Sequence, residues 1–381
     1  MIQMTTETSS HGFDIPTNTL DRWRLLWSKA DRPTPNAQPD RFLATTRALG
    51  SEPVILELKD SAGRQGMIIA RREPVRVTRR IGYLPVRTPM LDTLVVVYGG
   101  ILGDVAAETV TDALLECLNG TGRCDHIMLN MLPTDSPIMD CLRKRGGVAI
   151  QPPTPHWVTR LQTSFDAIME GFSRKHRHNL RSELRKLERV FDDGCEWVTL
   201  TRGDEIDRIL EHAFLIGSQT YHANLGGGLV KRDELWKTLL HLAASANSLR
   251  AHFLVGNGTP IAFWLGWNEN DTLYLVATGY LPEYEKYSPG KHLLLKCIAR
   301  ACEDGMSWVD FGFGDAEYKR IYGTESWQES AVHIYGDSVR TELAWGLDRG
   351  ATGLDMVLKR VAGSSFASRI KKVWRAYLRG D

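Results

Sequence analysis

The sequence predicts an α/β (α+β) fold in two domains. Three observations predict it. The chain has 381 residues, 43% of them hydrophobic, which is too long for one ordinary core and suits two. Strand-like apolar runs alternate with a helical pattern through the first 150 residues. From Ala251 the apolar pattern turns to period two, broken by short turn sequences, which marks antiparallel hairpins.

Residues 1–19 read as a flexible tail. Leu20, Trp23, Leu26 and Trp27 then share one helical face, and the proline-containing stretch from Arg32 to Pro39 breaks that helix. Strands are expected over Val54–Leu58, Gly66–Arg71 and Leu94–Tyr98, the last ending at Gly99 and Gly100. A helix over Val105–Leu118 and a strand over His126–Met131 complete a first domain spanning 20–150. The prolines of Gln151-Pro-Pro-Thr-Pro155 favour extended chain and mark a linker.

The second domain is expected over 156–338. A strand over His156–Leu161 precedes a helix on which Leu180, Leu184, Leu187 and Phe191 recur at helical spacing among Arg and Lys. A helix from Leu235 to Ala244 follows. Strands Ala251–Val255, Pro260–Trp267 and Thr272–Tyr280 are separated by turn residues. A helix over Pro289–Asp304 and a strand over Ser307–Phe313 follow them. Residues 340–381 read as a basic helical tail.

Composition excludes several classes. The formal net charge is +1, so the chain is no bulk polyanion binder. The six cysteines form no Cys-x-x-Cys pair and no Cys/His cluster of zinc spacing, so no metal is expected. The N-terminus carries no apolar core of a signal peptide. The longest apolar run, near Leu94–Leu102, is far short of the roughly 20 residues a membrane span needs. A soluble, cytoplasmic protein is expected. Gly-x-Ser-x-Gly, Walker and His-Glu-x-x-His motifs are all missing.

The junction Tyr287-Ser288-Pro289-Gly290-Lys291 is the most informative local feature. Ser288 is placed to cap the following helix with its hydroxyl, and Pro289 occupies a position where its missing N–H costs nothing. Gly290 leaves the first turn open to close approach, and Lys291 adds a cation. Exposed N–H groups, a glycine and a lysine at a helix N-terminus suit an anion. A well-capped helix with a solvated lysine is the plainer alternative.

Asp315, Tyr318 and Lys319 follow the strand 307–313 on a turn made permissive by Gly312 and Gly314. A carboxylate, a phenol and an amine within five residues can serve as base or orienting group, acid and anion anchor. The helix Arg174–Arg189 carries seven Arg and Lys residues with His176 and His178, giving either a solvated face or an anion-binding one. Tyr221, His222 and Gly226–Gly228 form a connector that can also close over an acceptor. In the tail Arg369–Arg379, Ile370, Val373, Trp374, Tyr377 and Leu378 share a face. That face can pack on its own domain or make a weak membrane-surface contact.

Two stretches, Tyr280-Leu-Pro-Glu-Tyr-Glu-Lys-Tyr-Ser-Pro-Gly-Lys291 and Val309-Asp-Phe-Gly-Phe-Gly-Asp-Ala-Glu-Tyr-Lys-Arg320, resemble the GNAT acyltransferases of the CelD and BioF-like acetyltransferase group. These are relatives of the FemAB aminoacyltransferases. Arg177-His-Asn-Leu-Arg181 resembles the basic helix of that group, and Tyr98-Gly-Gly100 is similar to a strand-end motif of the FemAB-type first domain. The resemblance covers about 160–335, and more faintly 50–150.

The resemblance implies tandem GNAT-like domains, each a mixed, mostly antiparallel sheet flanked by helices, the first lacking a cofactor turn. It implies acetyl-CoA or another acyl-CoA as co-substrate, with Gly279, Tyr287, Ser288, Gly290 and Lys291 at the donor. The turn 287–291 would cradle the pyrophosphate, although it is shorter and less glycine-rich than the usual GNAT loop. Backbone N–H groups near Gly279 would stabilise the oxyanion. The residues themselves, not the resemblance, make Asp315, Tyr318 and Lys319 the candidate catalytic groups, with a solvated Asp turn and a packed Tyr318 as the plainer alternative, and make Arg174, Arg177, Asn179 and Arg181 the candidate acceptor-binding groups.

The implied reaction is N-acyl transfer to an amine, an amino sugar or glycan precursor of exopolysaccharide or cell-envelope biosynthesis. A FemAB-style transferase drawing on aminoacyl-tRNA is the alternative. A third is an inactive GNAT-like glycan-binding or scaffold protein.

Overall fold

The computed structural model describes residues 3–5, 13–82, 84–120, 123–161, 164–192, 194–219 and 230–361. The chain divides into two compact units, Met1–Pro153 with Gln328–Asp381, and Thr154–Trp327.

The first unit begins with β1 (Gln3–Thr5), α1 (Thr17–Ser28) and α2 (Pro39–Ala48). Next come β2 (Glu52–Lys59), β3 (Gln65–Val75), β4 (Thr78–Ile81), β5 (Leu84–Arg87) and β6 (Leu91–Gly103). The unit continues with α3 (Ala107–Asn119), β7 (His126–Pro133), α4 (Pro137–Arg143) and β8 (Val148–Ile150).

The second unit comprises β9 (Thr154–Arg160), α5 (Phe165–Glu170), α6 (Arg174–Val190), β10 (Cys195–Leu200), α7 (Ile206–Ser218) and α8 (Glu234–Ser245). Its remaining elements are β11 (Leu249–Gly256), β12 (Thr259–Glu269), β13 (Thr272–Tyr280), α9 (Pro289–Glu303), β14 (Trp308–Phe313) and α10 (Glu317–Tyr322). Then β15 (Glu325–Tyr335) leads the chain back into the first unit, where α11 (Val339–Val361) follows.

This return differs from the expected division at 338. β15 pairs antiparallel with β7 and β8 of the first unit, so its register, for example Val332 with Leu129, carries the chain there. The strands of the first unit run in the order β1-β2-β3-β6-β7-β15. Their alternation buries two faces, as period-two side-chain direction requires. Leu56, Ile68 and Ile127 pack under α3 and α4, while Ile55, Met67 and Ile69 pack with Trp23 and Phe42 of α1 and α2. The stretch 32–39, read from sequence only as a break, ends at the buried Pro39 that starts α2; the Gln38 side chain caps that helix by accepting from Arg41 N.

In the second unit the order is β9-β14-β13-β12-β11-β10. The pairs β11–β12 and β12–β13 are antiparallel hairpins, with turns at Asn257-Gly258 and Asn270 in left-handed backbone. Phe263 lies within reach of Ile216 of α7, whereas the neighbouring Trp264 donates to Gly290 of α9. The two helices therefore cover opposite faces. Leu293, Leu294, Cys297, Ile298 and Ala301 are the buried stripe of α9.

Candidate functional site

The strands β13 and β14 run parallel, but their register covers only Thr272–Tyr274 against Trp308–Asp310. β13 continues to Tyr280 and β14 to Phe313. The pair therefore splays beyond Asp310. A bulge contributes: the β14–β9 register shifts between Asp310 and Gly312, Gly312 takes φ 67°, and its N–H donates to Asp310 Oδ1 at 2.6 Å. The splay leaves the β13 backbone from Leu275 to Tyr280 outside that ladder, and Tyr280 leads through the 3-10 turn Pro282–Tyr287 to α9.

At the start of α9 the expected cap is corrected. Ser288 sits in left-handed backbone, φ 55° and ψ 44°, and its hydroxyl makes no capping bond. In that conformation its carbonyl accepts from Lys291 N at 3.0 Å and His292 N at 3.3 Å, while its own N–H donates to Glu285 O at 3.0 Å. A serine held at positive φ is strained backbone. Pro289 is buried at the first helical position.

The Gly290 N–H has no hydrogen-bond partner among the described residues, while its carbonyl accepts from Trp264 Nε1 at 2.9 Å. A Cβ at Gly290 would meet only Tyr280 Cδ1, at 3.4 Å, an ordinary contact. Internal packing does not demand glycine here, so the bare backbone is available to a ligand.

Lys291 is not a spare cation. Its Nζ lies 3.3 Å from Glu183 Oε2 of α6, with both side chains partly exposed. His292, in the same turn, is buried, and its Nε2 has no partner. Burial lowers its pKa to about 4, against an opposing pull from Glu183. Gly279 is explained differently from the expectation. A Cβ there would lie 2.8 Å from Phe263 Cε1 and 3.3 Å from Ile216, so core packing forbids a side chain. Tyr287 is partly buried against the core with Lys286 Nζ 4.9 Å over its ring.

The turn after β14 proves to be the short helix α10, and it separates the three expected catalytic residues. Asp315 is bound by Arg320, whose Nε donates at 2.6 Å, and that hydrogen bond lowers its pKa below the ordinary carboxylate value. A carboxylate so held is a weak base. Tyr318 packs edge-on against Trp264 and Phe311, with ring centroids 5.5 and 6.1 Å away, and burial pushes its pKa up to about 12. It is a protonated donor at neutral pH.

Lys319 is buried, its Nζ donating to Gly312 O at 3.0 Å and to Phe313 O. Burial lowers its pKa to about 8, with Asp310 acting in the opposite direction. It clamps the strand end and is not free to anchor an anion. Trp264 thus joins Tyr318 and Gly290 into one cluster with Tyr280, while Asp315 faces solvent and Lys319 faces inward.

The structure adds residues that the sequence did not single out. Buried His156 places Nε2 2.8 Å from Asp310 Oδ1 and stacks on Trp327 at 4.5 Å. With Lys319 it fixes the bulged end of β14 from both sides. His176 Nε2 lies 3.5 Å from the Tyr322 hydroxyl, the outer limit of a hydrogen bond, and Phe172 packs on both rings. No local motif announces these pairs, because each joins residues more than a hundred positions apart.

Helix α6 turns Leu180 and Leu187 inward with Glu183. Arg174, Asn179 and Arg181 are exposed and Arg177 is half-buried; none of the three arginines forms an ion pair among the described residues. Among the described residues, no group of three His, Cys, Asp or Glu is placed to hold a metal. The expected loop Tyr221–Gly228 and the tail 369–379 lie outside the described residues.

Comparison with known proteins agrees with this geometry. Residues 174–320 match the family model described as Acetyltransferase (GNAT) domain. Among solved structures, FemX is similar in fold, with a TM-score of 0.54 at 12% identity, covering 83% of this chain and 96% of that one. A conserved protein of unknown function from Bacteroides thetaiotaomicron VPI-5482 also has a TM-score of 0.54, at 11% identity, covering 88% of this chain and all of that one. No curated protein matches the chain. The strand splay and the helix start beside it both lie inside the matched segment: residues 174–320 carry the pattern of a GNAT-type acetyltransferase domain, and the chain shares its fold with FemX.

Proposed function

We propose that the chain is an N-acyltransferase that moves an acyl group from acyl-CoA to an amine on an amino sugar or related glycan precursor. The observation that carries this is the opening between β13 and β14, which leads to the uncommitted N–H of Gly290 at the start of a 15-residue helix. A pyrophosphate suits that end, because the helix N-terminus favours negative charge and Gly290 permits close approach. The donor supplies an activated thioester.

This chain's residues then orient and polarise. N–H groups of the splayed β13 edge face the place where an oxyanion would develop. Tyr318, protonated and next to Trp264, donates to the departing sulfur, while the proton given up by the attacking amine passes to solvent, from which Tyr318 is reprotonated. Asp315, held by Arg320, orients the acceptor rather than taking its proton. Lys319 and His156 are positioning residues for the end of β14. The arginines of α6 face an anionic group of the acceptor, with Asn179 beside them. The work is cytoplasmic.

A second reading, an aminoacyl-tRNA donor, is favoured by the arginines of α6 that form no ion pair among the described residues and by the fold shared with FemX. Thermal stabilisation separates the two, since a ligand binding only the folded state raises the melting point. Acetyl-CoA and CoA are expected to raise it, and Gly290→Glu to abolish the shift. A shift with tRNA alone supports the second reading. No shift with any of the three overturns both.

A further inference from the structure

A second carboxylate stands where β13 and β14 part. Asp310 pairs with Tyr274 in the last rung of their short parallel ladder. Its Oδ1 is committed: Gly312 N donates to it at 2.6 Å, and His156 Nε2 lies 2.8 Å away. A carboxylate oxygen accepts, so that nitrogen of His156 carries the hydrogen. His156 is buried, stacked on Trp327 at 4.5 Å and edge-on to Phe313 at 4.8 Å. A packed ring therefore fixes how the carboxylate points. Its Oδ2 accepts no hydrogen bond among the described residues, and the side chain keeps 13% of its surface exposed. Lys319 feels the Asp310 charge but donates its amine to the carbonyls of Gly312 and Phe313. Asp315 differs, because Arg320 binds both of its oxygens.

Asp310 and Tyr318 lie on opposite faces of the sheet. On β9, Thr159 Oγ1 donates to Tyr322 O, and a Cβ at Gly323 would meet Trp157 Cε3 at 2.7 Å, so Trp157 and Thr159 face α10. Alternation turns His156 and Val158 the other way. Asp310 pairs with Val158 and bonds His156, so it shares their face. Tyr318 belongs to α10 and packs on Trp264, whose indole reaches Gly290 of α9. A donor entering beside α9 thus leaves the Asp310 face of the opening to the nucleophile.

We propose that Asp310 is the acceptor carboxylate of the transfer: its Oδ2 receives the acceptor as a cationic amine, on the face opposite Tyr318, and takes its first proton. This rests on the acyl-CoA reading above. The ammonium gives one proton to Oδ2, and the neutral nitrogen attacks the thioester carbon. The C–N bond forms and the C–S bond breaks. A second proton leaves the nitrogen for solvent, the third stays on the amide, and the sulfur takes its proton from Tyr318. Asp310 returns its proton to solvent, and Tyr318 regains one from it, so each turnover releases one proton. Gly312 N–H and His156 act as positioning groups for the carboxylate.

The test uses the full chain with CoA, acetyl-CoA and glucosamine as the amine probe. Asp310→Asn keeps an oxygen for Gly312 and His156 and removes only the charge. It should bind CoA as the wild type does, melt at the same temperature, and acetylate glucosamine about 10²-fold or more slowly. Asp310→Glu, which restores a carboxylate, should recover part of that loss. Should Asp310→Asn not fold, Asp310→Glu against Asp310→Gln compares charge at equal size. Undiminished turnover in the uncharged variant overturns the proposal. So does a parallel loss of CoA binding and turnover in a folded variant, which would make Asp310 a structural residue. No CoA binding to the wild type instead overturns the donor reading, and this inference with it. A wild type that binds CoA yet leaves glucosamine unacetylated overturns the amino-sugar acceptor and the Asp310 role, with the donor site intact.

Discussion

Acid should destabilise the first unit through two stacked histidines. His126 Nε2 and His333 Nδ1 lie 3.0 Å apart, with Thr93 Oγ1 3.1 Å from His126 Nδ1 and the ring of Tyr335 beside His126. Both rings are buried, and burial lowers each pKa from 6.5 to about 3, with the partner imidazole adding to the effect on His126; Arg79 lowers both, and Asp348 opposes it at His126. The folded pKa is depressed, so the unfolded chain binds more protons between pH 6.5 and 3, and stability falls as pH falls through that window.

At pH 5 the gap from the unfolded pKa is about 1.5 units, or about 2 kcal/mol per ring and about 4 kcal/mol for the pair. That is a large share of the roughly 5–15 kcal/mol that holds a domain folded. Urea unfolding at pH 7.5 and 5.0 measures it, with His333→Gln leaving one titrating ring and about half the loss. Equal pH slopes for the wild type and His333→Gln would refute the reasoning.

Other perturbations test the site. Lys319→Met should destabilise the second unit by about 1–3 kcal/mol, because two carbonyls at the end of β14 lose their donor; chemical denaturation reads it, and an unchanged midpoint counts against the clamp. Tyr318→Phe should lower acetyl-CoA turnover with an amine acceptor by about 10²-fold or more while melting is preserved, and full turnover removes Tyr318 from the reaction. Lys291 and Glu183 are partly exposed, so a double-mutant cycle should give a coupling below about 1 kcal/mol in stability. CoA affinity should fall in Lys291→Ala and hold or rise in Glu183→Ala; equal losses in both would mean that the pair matters only as a pair.

Much of this fold was legible in local pattern. The run 251–280 shows its hairpins because alternating burial and Asn/Gly turns are written residue by residue. The helix at Pro289 was legible from its proline and its periodic leucines. What was not legible depends on partners distant in sequence. Nothing near Lys291 announces Glu183, 108 positions away, and nothing near Lys319 says that its amine turns inward to the carbonyls of Gly312 and Phe313. Ser288 reads as an ordinary cap, whereas it closes the preceding 3-10 turn in left-handed backbone, its N–H bonded to Glu285 O. β15 has a mixed pattern, and only its pairing with β7 shows that the chain returns to the first unit.

The central claim is that the start of α9 holds the phosphates of a coenzyme A donor. Isothermal titration of CoA into the wild type and into Gly290→Glu, whose melting curve is checked first, tests it most directly. Saturable binding to the wild type and none to the variant is the predicted result. No binding to the wild type, or undiminished binding to Gly290→Glu, would contradict it.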